Sequence, residues 1–187
     1  DPFKTVFDMY NNNLTFDSWK NLESIRQVDK TVNNKIGEFH QKLLGCVDGW
    51  EDLQTGDVAD ISNDTKTIFI ELKNRWNTVK GSDMIHVWEK LLKITTIDYP
   101  GSTAYWGFIN EKNGTSGESV WTHQGNANPN VKKIWGNNIY KMVTGKSDSL
   151  EKMWTALPNV LDVVLGKKTV LNLTDKKNLI TWFKSGY

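Results

Sequence analysis

The sequence predicts a mixed α/β domain of the α+β kind, with a central mixed sheet flanked by helices. Three observations carry this. A long early stretch repeats its apolar residues at helical spacing. Two short β-branched segments follow, joined by a turn, and strand-like and helical segments then succeed one another to the end. With 187 residues the chain can bury one substantial core. A single domain over 1–187 is therefore expected, with a hairpin at 58–73 and a mostly helical part at 131–187.

Between 18 and about 46, Trp19, Leu22, Ile25, Val28, Val32, Ile36, Phe39 and Leu43 recur every three or four positions, the helical period. Asp17 or Ser18 can cap this segment, which is one long helix or two broken near Asn33 and Asn34. The stretch GCVDGWEDLQTGD gathers Gly and Asp and reads as a loop. Next come two strands, 58–62 and 67–73 (TIFIELK), with Asn63, Asp64 and Thr65 as the turn of a hairpin. Strand alternation places Phe69, Glu71 and Lys73 on one face and Ile68, Ile70 and Leu72 on the other. After the polar loop NRWNTVKGS, Asp83 is expected to cap a helix reaching about Ile94, with Ile85, Trp88, Leu91 and Leu92 inward. YPGS is a turn, 104–109 a third strand, NEKNGTSG a hairpin-type connection and 119–122 a candidate fourth strand. Helices are expected at about 131–143, at 148–157 with Pro158 ending it, and at the end of the chain with Thr174 as cap.

Composition narrows the function. Hydrophobic and charged fractions of 38% and 24% are globular values and argue against disorder. Nine tryptophans imply many buried rings, with Trp76 the exception because it falls in a polar loop. No apolar run approaches the ~20 residues of a membrane span, and DPFKTVFDMYNNN lacks the basic start and apolar stretch of a leader. A soluble cytoplasmic protein with no membrane partner is expected. The lone Cys46 excludes an internal disulfide or a thiolate zinc site, and a buried apolar role is expected for it. TGKS at 144–147 imitates the end of a P-loop, but Tyr140 stands where the first glycine is needed. His40 and His86 fall on predicted helices as packing or surface residues.

Charge is unevenly spread. Residues 1–64 hold six Lys/Arg against twelve Asp/Glu, whereas 65–187 hold seventeen against ten. Metal-binding carboxylates beside a phosphate-binding surface would produce this split. So would a solvated acidic helix.

The strongest chemical pattern is Asp60, then Glu71, Leu72 and Lys73 after a turn. Hydrolysing a phosphodiester calls for a cation that polarises the phosphate, and magnesium favours a few carboxylate oxygens while keeping several waters. In the predicted hairpin Asp60 lies near Glu71, Lys73 projects from the same face, and the Leu72 backbone carbonyl can supply a further ligand. A Glu and a Lys inside an apolar strand cost stability unless they serve a purpose.

The pattern is short and also arises on exposed strands, so its surroundings matter. IGEFHQKLLG (36–45), GDVADI (56–61), IFIELKNRWNTVKGSD (68–83), NPNVKKIWGNNIYKMVTG (128–145) and SLEKMWTALPNVLDVV (149–164) together resemble type II restriction endonucleases of the PD-(D/E)XK superfamily. The chain is most similar to the group cleaving interrupted palindromes of the GG-N-CC or GG-W-CC kind. The resemblance covers about 36–164, and 71–83 is its most specific part. It implies a restriction-endonuclease-like fold and Mg2+-dependent hydrolysis of double-stranded DNA. Asp60 stands for the first metal-binding aspartate, Glu71 for the second acidic ligand and Lys73 for the catalytic lysine. Ala59, rather than Pro, precedes the aspartate, as in many members. Many members also carry a Glu on the preceding helix; Glu38 is the candidate, its other reading being an exposed pair with Lys42.

Asn74, Arg75, Asn77 and Lys80 follow the catalytic strand and are candidate DNA-binding residues, Arg75 suiting guanine or phosphate. Lys132 and Lys133, on the expected late helix, suit phosphate or a solvated face. His123, near Gln124 and Asn126, could touch DNA. A palindromic target calls for a homodimer, and a cognate methyltransferase would be the functional partner. Competing readings are a repair, recombination or mobile-element nuclease of the same fold, and a non-catalytic DNA-binding or oligomerisation module.

Overall fold

The computed structural model describes residues 1–54, 56–166 and 173–186. The chain divides into two compact units, Asp1–Phe39 and His40–Tyr187.

In the first unit, α1 (Pro2–Asn11) starts with Pro2, and the Asp1 side chain accepts from the Phe3 and Lys4 amides. Helix α2 (Phe16–Gly45) is unbroken at Asn33, whose side chain bonds back to Asp29 instead of competing for the turn. Its cap is Thr15, not Asp17 or Ser18: Thr15 Oγ1 accepts the Ser18 amide at 3.2 Å.

The second unit is built on a six-stranded sheet: β1 (Trp50–Asp52), β2 (Ile61–Asn63), β3 (Ile68–Arg75), β4 (Thr103–Asn110), β5 (Gly117–Val120) and β6 (Val131–Trp135). The order is β1-β2-β3-β4-β6-β5, with β3-β4 and β4-β6 parallel and the remaining pairs antiparallel. The mixed sheet flanked by helices is the predicted class. Its two faces separate by strand alternation. Ile70, Leu72, Tyr105 and Ile109 pack with Ile139, Tyr140 and Val143 of α4 (Asn137–Thr144). Phe69, Ala104, Trp106 and Phe108 pack on the other side with Trp88 and Leu91 of α3 (Met84–Lys93). In β4, Gly107 lets the sheet approach α4: a Cβ there would stand 2.8 Å from Ile70 Cγ2 and 3.4 Å from Ile139 Cδ1.

Several expectations are corrected. The stretch read as a loop contains β1, a three-residue strand with two acidic residues whose ladder is supplied by β2. NEKNGTSG does not close a hairpin, because β6 inserts between β4 and β5 and takes both their ladders. The expected helix at 131–143 is a strand followed by α4. Gly136, at φ 62 and ψ −141, makes the break, and a Cβ there would collide with the Thr115 carbonyl at 2.7 Å. Helix α5 (Ser149–Leu165) runs through Pro158, which removes one amide donor without ending the helix. Helix α6 (Leu173–Gly186) contains Thr174 instead of beginning at it. Cys46 is exposed, since it follows the last turn of α2. Trp88, Trp106 and Trp121 are buried, while Trp182 is exposed as Trp76 is. Gly145 of the TGKS stretch is the left-handed C-cap of α4. No helix among the described residues is long and apolar enough to cross a membrane.

Candidate active site

The hairpin of β2 and β3 sets the site. Ile61 pairs with Ile70 and Ser62 with Phe69, so one step further Asp60 faces Glu71. Asp60 precedes the strand instead of lying within it, yet its amide still donates to the Ile70 carbonyl at 3.2 Å, which carries the ladder one residue beyond β2. Opposed residues in an antiparallel pair share a face, so both carboxylates point the same way.

Their polar contacts are dense. Asp60 Oδ2 accepts the Leu72 amide at 2.6 Å. Lys73 Nζ lies 2.7 Å from Glu71 Oε1 and 3.5 Å from Asp60 Oδ2. The structure therefore brings Asp60 together with Glu71, Lys73 and the Leu72 backbone of β3. Behind them, Gln41 of α2 donates to the Asp60 carbonyl at 3.2 Å and to Asp52 Oδ1 at 2.8 Å. The Leu53 amide donates to the same carbonyl at 3.0 Å. The aspartate backbone is thus pinned from two sides.

The two carboxylates are tuned in opposite directions. Burial, and then the charge of Glu71, raise Asp60 above the ordinary aspartate value, against the pull of Lys73 and the Leu72 amide. Burial also acts to raise Glu71, but the charges and hydrogen bonds of Lys73 and Lys90 outweigh it and hold the carboxyl below its ordinary value. Lys73 has burial acting to lower it, overcome by the charges of Glu71 and Asp60, so its ammonium is held above the ordinary value. Asp60 is the carboxylate with the least cationic support. It gains most from an added cation.

Lys90 was not foreseen. It stands on α3 and reaches Glu71 Oε2 at 2.7 Å. Its signal in the sequence is the i,i+3 spacing from half-buried Val87, which puts it on the rim of the apolar face. Gln41, also unforeseen, has no comparable signal, because its partners are a backbone carbonyl and a residue read as loop.

The candidate DNA-binding residues are placed differently from one another. Asn74 and Arg75 still belong to β3. Alternation puts Arg75 on the Glu71 and Lys73 face, exposed at the strand end. Asn74 is engaged by Asn110 of β4, whose amide donates to its side-chain oxygen at 2.9 Å and its carbonyl at 3.0 Å. The Trp76 amide donates to the Asn110 carbonyl at 3.1 Å, so Asn110 ties the following loop to the sheet. Asn77 and Lys80 are exposed in that loop, and Lys112 stands 6.0 Å above the Trp76 ring. Glu38, on the exposed face of α2, pairs with Lys35 at 2.8 Å.

Lys132 and Lys133 are on β6, not on a helix, and point to opposite faces. Lys132 is paired with Glu118 at 2.8 Å. Lys133 lies 5.2 Å from both the Trp106 and Trp121 rings, on the same face as Glu71 through the register Glu71, Trp106, Lys133. His123 forms an isolated bridge with Asn126 and packs edge-on against Trp121. Among the described residues no group of three or more His, Cys, Asp or Glu side chains gathers at one point.

Comparison with known proteins bears on what such a hairpin does. A model of the Eco47II restriction endonuclease family matches residues 1–166. The type II restriction enzyme Eco47II of Escherichia coli is 31% identical over 200 residues, an alignment covering 100% of this chain and 83% of the relative. The type II restriction enzyme Sau96I of Staphylococcus aureus is 31% identical over 172 residues, covering 87% of this chain and 66% of its own length. No solved structure matches.

Proposed function

The chain belongs to the Eco47II restriction endonuclease family, and from that premise we propose that it is a type II site-specific endonuclease cutting double-stranded DNA at Asp60, Glu71 and Lys73. The observation that carries the assignment of residues is the single cluster in which Lys73 Nζ stands within 3.5 Å of both carboxylates. Type II restriction endonucleases generally depend on a divalent metal.

The donor set fits magnesium. Two carboxylates on one face, with no third acidic side chain, His or Cys gathered among the described residues, suit a hard cation that retains water and leave a zinc or calcium cage incomplete. Asp60, Glu71 and the Leu72 carbonyl would hold it. Glu38 as a further ligand rests on the resemblance alone. When bound, the cation would polarise the phosphate and lower the pKa of a water.

The remaining work falls to the chain. The Leu72 amide fixes the rotation of the Asp60 carboxylate, and Gln41 and the Leu53 amide fix its backbone. Lys73, held protonated between the carboxylates, orients the attacking water or the phosphate for in-line attack and offsets the negative charge that develops. Partial burial strengthens each of these interactions relative to open water. Arg75 leaves the same strand face toward the substrate and suits guanine or phosphate, with Asn77 and Lys80 as further contacts and Asn74 as a contact or an anchor of the loop. The short palindrome is of the GG-N-CC or GG-W-CC kind. Its symmetry calls for a homodimer in which each subunit cuts one strand, and a methyltransferase of the same system would protect the site.

Incubation with magnesium and a sequenced plasmid tests the proposal. Discrete bands whose mapped ends share one short palindrome are expected. A smear, or cutting only at branched structures, would favour a repair or recombination nuclease of the same fold. Retained specific binding without any cutting would favour a non-catalytic module.

A further inference from the structure

Glu71 is held by a second cation for which the hydrolytic reading has no task. Lys90 Nζ lies 2.7 Å from Glu71 Oε2, opposite Lys73 on Oε1 at 2.7 Å. Its helix is firmly seated: Leu91 is fully buried, and the buried Trp88 donates its indole N–H to the Trp121 carbonyl at 3.1 Å. The backbone beneath Lys90 is therefore fixed, and only its side chain extends from the helix rim.

The two lysines differ in kind. Lys73 rises from the strand floor and faces both carboxylates, with its side chain 29% exposed. The Lys90 side chain is 41% exposed and meets Glu71 from the solvent side. Together Asp60, Glu71, Lys73 and Lys90 form a cluster of zero formal charge. A divalent cation on the two carboxylates makes the cluster cationic and competes with both ammonium groups for Glu71. The phosphodiester brings the compensating negative charge to the open side of the site. Lys90 is the member whose long, solvent-reaching stem can follow it.

We propose that Lys90 is a substrate-binding residue: its ammonium neutralises Glu71 in the free protein and transfers to the backbone phosphate when DNA binds, leaving Glu71 Oε2 open to the cation. The proposal rests on the reading of Asp60, Glu71 and Lys73 as the hydrolytic site. Lys90 is then an electrostatic placeholder that keeps the acidic pair compact until metal and substrate arrive.

The test uses the full chain, a duplex carrying the mapped site, and calcium in place of magnesium, and measures how log Kd varies with log salt concentration. Lys90→Met is expected to reduce the slope by about 0.9 for each active site engaged, and to weaken binding about eightfold per site near about 0.1 M salt. The loss should be equal on cognate and unrelated duplexes, and Lys90→Arg should restore both quantities. In DNA-free protein, Lys90→Met should bind terbium, read by luminescence, at lower concentration than wild type because a competitor for Glu71 is gone. Lys90→Gln, which keeps a hydrogen bond but no charge, should lose the same slope and serves if Lys90→Met does not fold. An unchanged slope in the uncharged variants, or weaker terbium binding, overturns the proposal and leaves Lys90 a structural partner of Glu71. Wild-type protein that makes no discrete cuts in magnesium removes the hydrolytic reading as well. Wild-type cutting with an unaltered Lys90→Met slope removes only the role given to Lys90.

Discussion

Acidification should destabilise this protein through one buried histidine. His40 is 7% exposed, its Nδ1 is 2.7 Å from the Tyr140 hydroxyl, and burial pushes its pKa down from 6.5 to about 4. Below the ordinary value the unfolded chain takes up a proton that the folded chain refuses until about pH 4. The unfolded state therefore holds more protons across this window, and stability falls as pH falls through it. The full swing amounts to about 3 kcal/mol. Denaturant unfolding of wild type and His40→Gln from about pH 7 down to about pH 4 isolates it, because titrations common to both cancel in the difference. At neutral pH the variant should be less stable by about 1–3 kcal/mol, as the buried His40–Tyr140 hydrogen bond is lost. Near pH 4 the balance should have moved by about 3 kcal/mol in the variant's favour, closing or reversing that gap. Parallel loss of stability by the two proteins would refute the assignment of the acid sensitivity to His40. The site has a stake in the outcome, since Gln41, the next residue, holds the Asp60 carbonyl.

Other expectations concern the sheet and the chemistry directly. Lys73→Ala should abolish banding on plasmid DNA while specific binding persists in calcium; undiminished cleavage would remove Lys73 from the mechanism. Calcium with the wild-type protein should support binding without cutting, and efficient cleavage in calcium alone would contradict a magnesium-type site. Gly107→Ala places a methyl 2.8 Å from Ile70 Cγ2 and should cost about 1–3 kcal/mol of unfolding free energy; an unshifted denaturation midpoint would show that Ile70 yields freely. Asn110→Ala removes the side-chain bonds to Asn74, leaves the Trp76 amide on the backbone carbonyl of residue 110, and should weaken cognate binding by about fivefold, near 1 kcal/mol, measured by gel shift; unchanged binding would mean that Asn74 is held in place without them.

The hairpin of β2 and β3 was legible because its logic is local. Polar residues between β-branched segments mark the turn, which runs over 64–67 with Asn63 ending β2 instead of opening the turn, and the period of two then assigns Glu71 and Lys73 to one face. What escaped depends on distant partners. Strand β6 is five residues long, carries two adjacent lysines and runs on into a helix, so its pairing with β4 and β5, set by the whole sheet, was invisible in VKKIW. Strand β1 is only three residues long, two of them acidic, and takes its conformation from β2. Lys90 and Gln41 belong to helices whose existence was foreseen, but a helical period says which side faces inward, not which carboxylate a rim side chain will reach. Pro158 misled in the opposite direction: the rule that it ends a helix is statistical, and α5 tolerates the loss of one donor.

The strand order has a consequence for assembly. The outermost strands, β1 and β5, are three and four residues long and carry Glu51, Asp52 and Glu118. Short, charged margins offer little free backbone for another chain to extend, which guards a sheet against end-to-end polymerisation. The same property denies a two-fold pair the simplest means of joining, a ladder continued from one copy into the next. In the proposed homodimer the two copies would therefore meet through side chains, and their spacing on DNA would be set by packed surfaces that substitution can alter without disturbing a single strand.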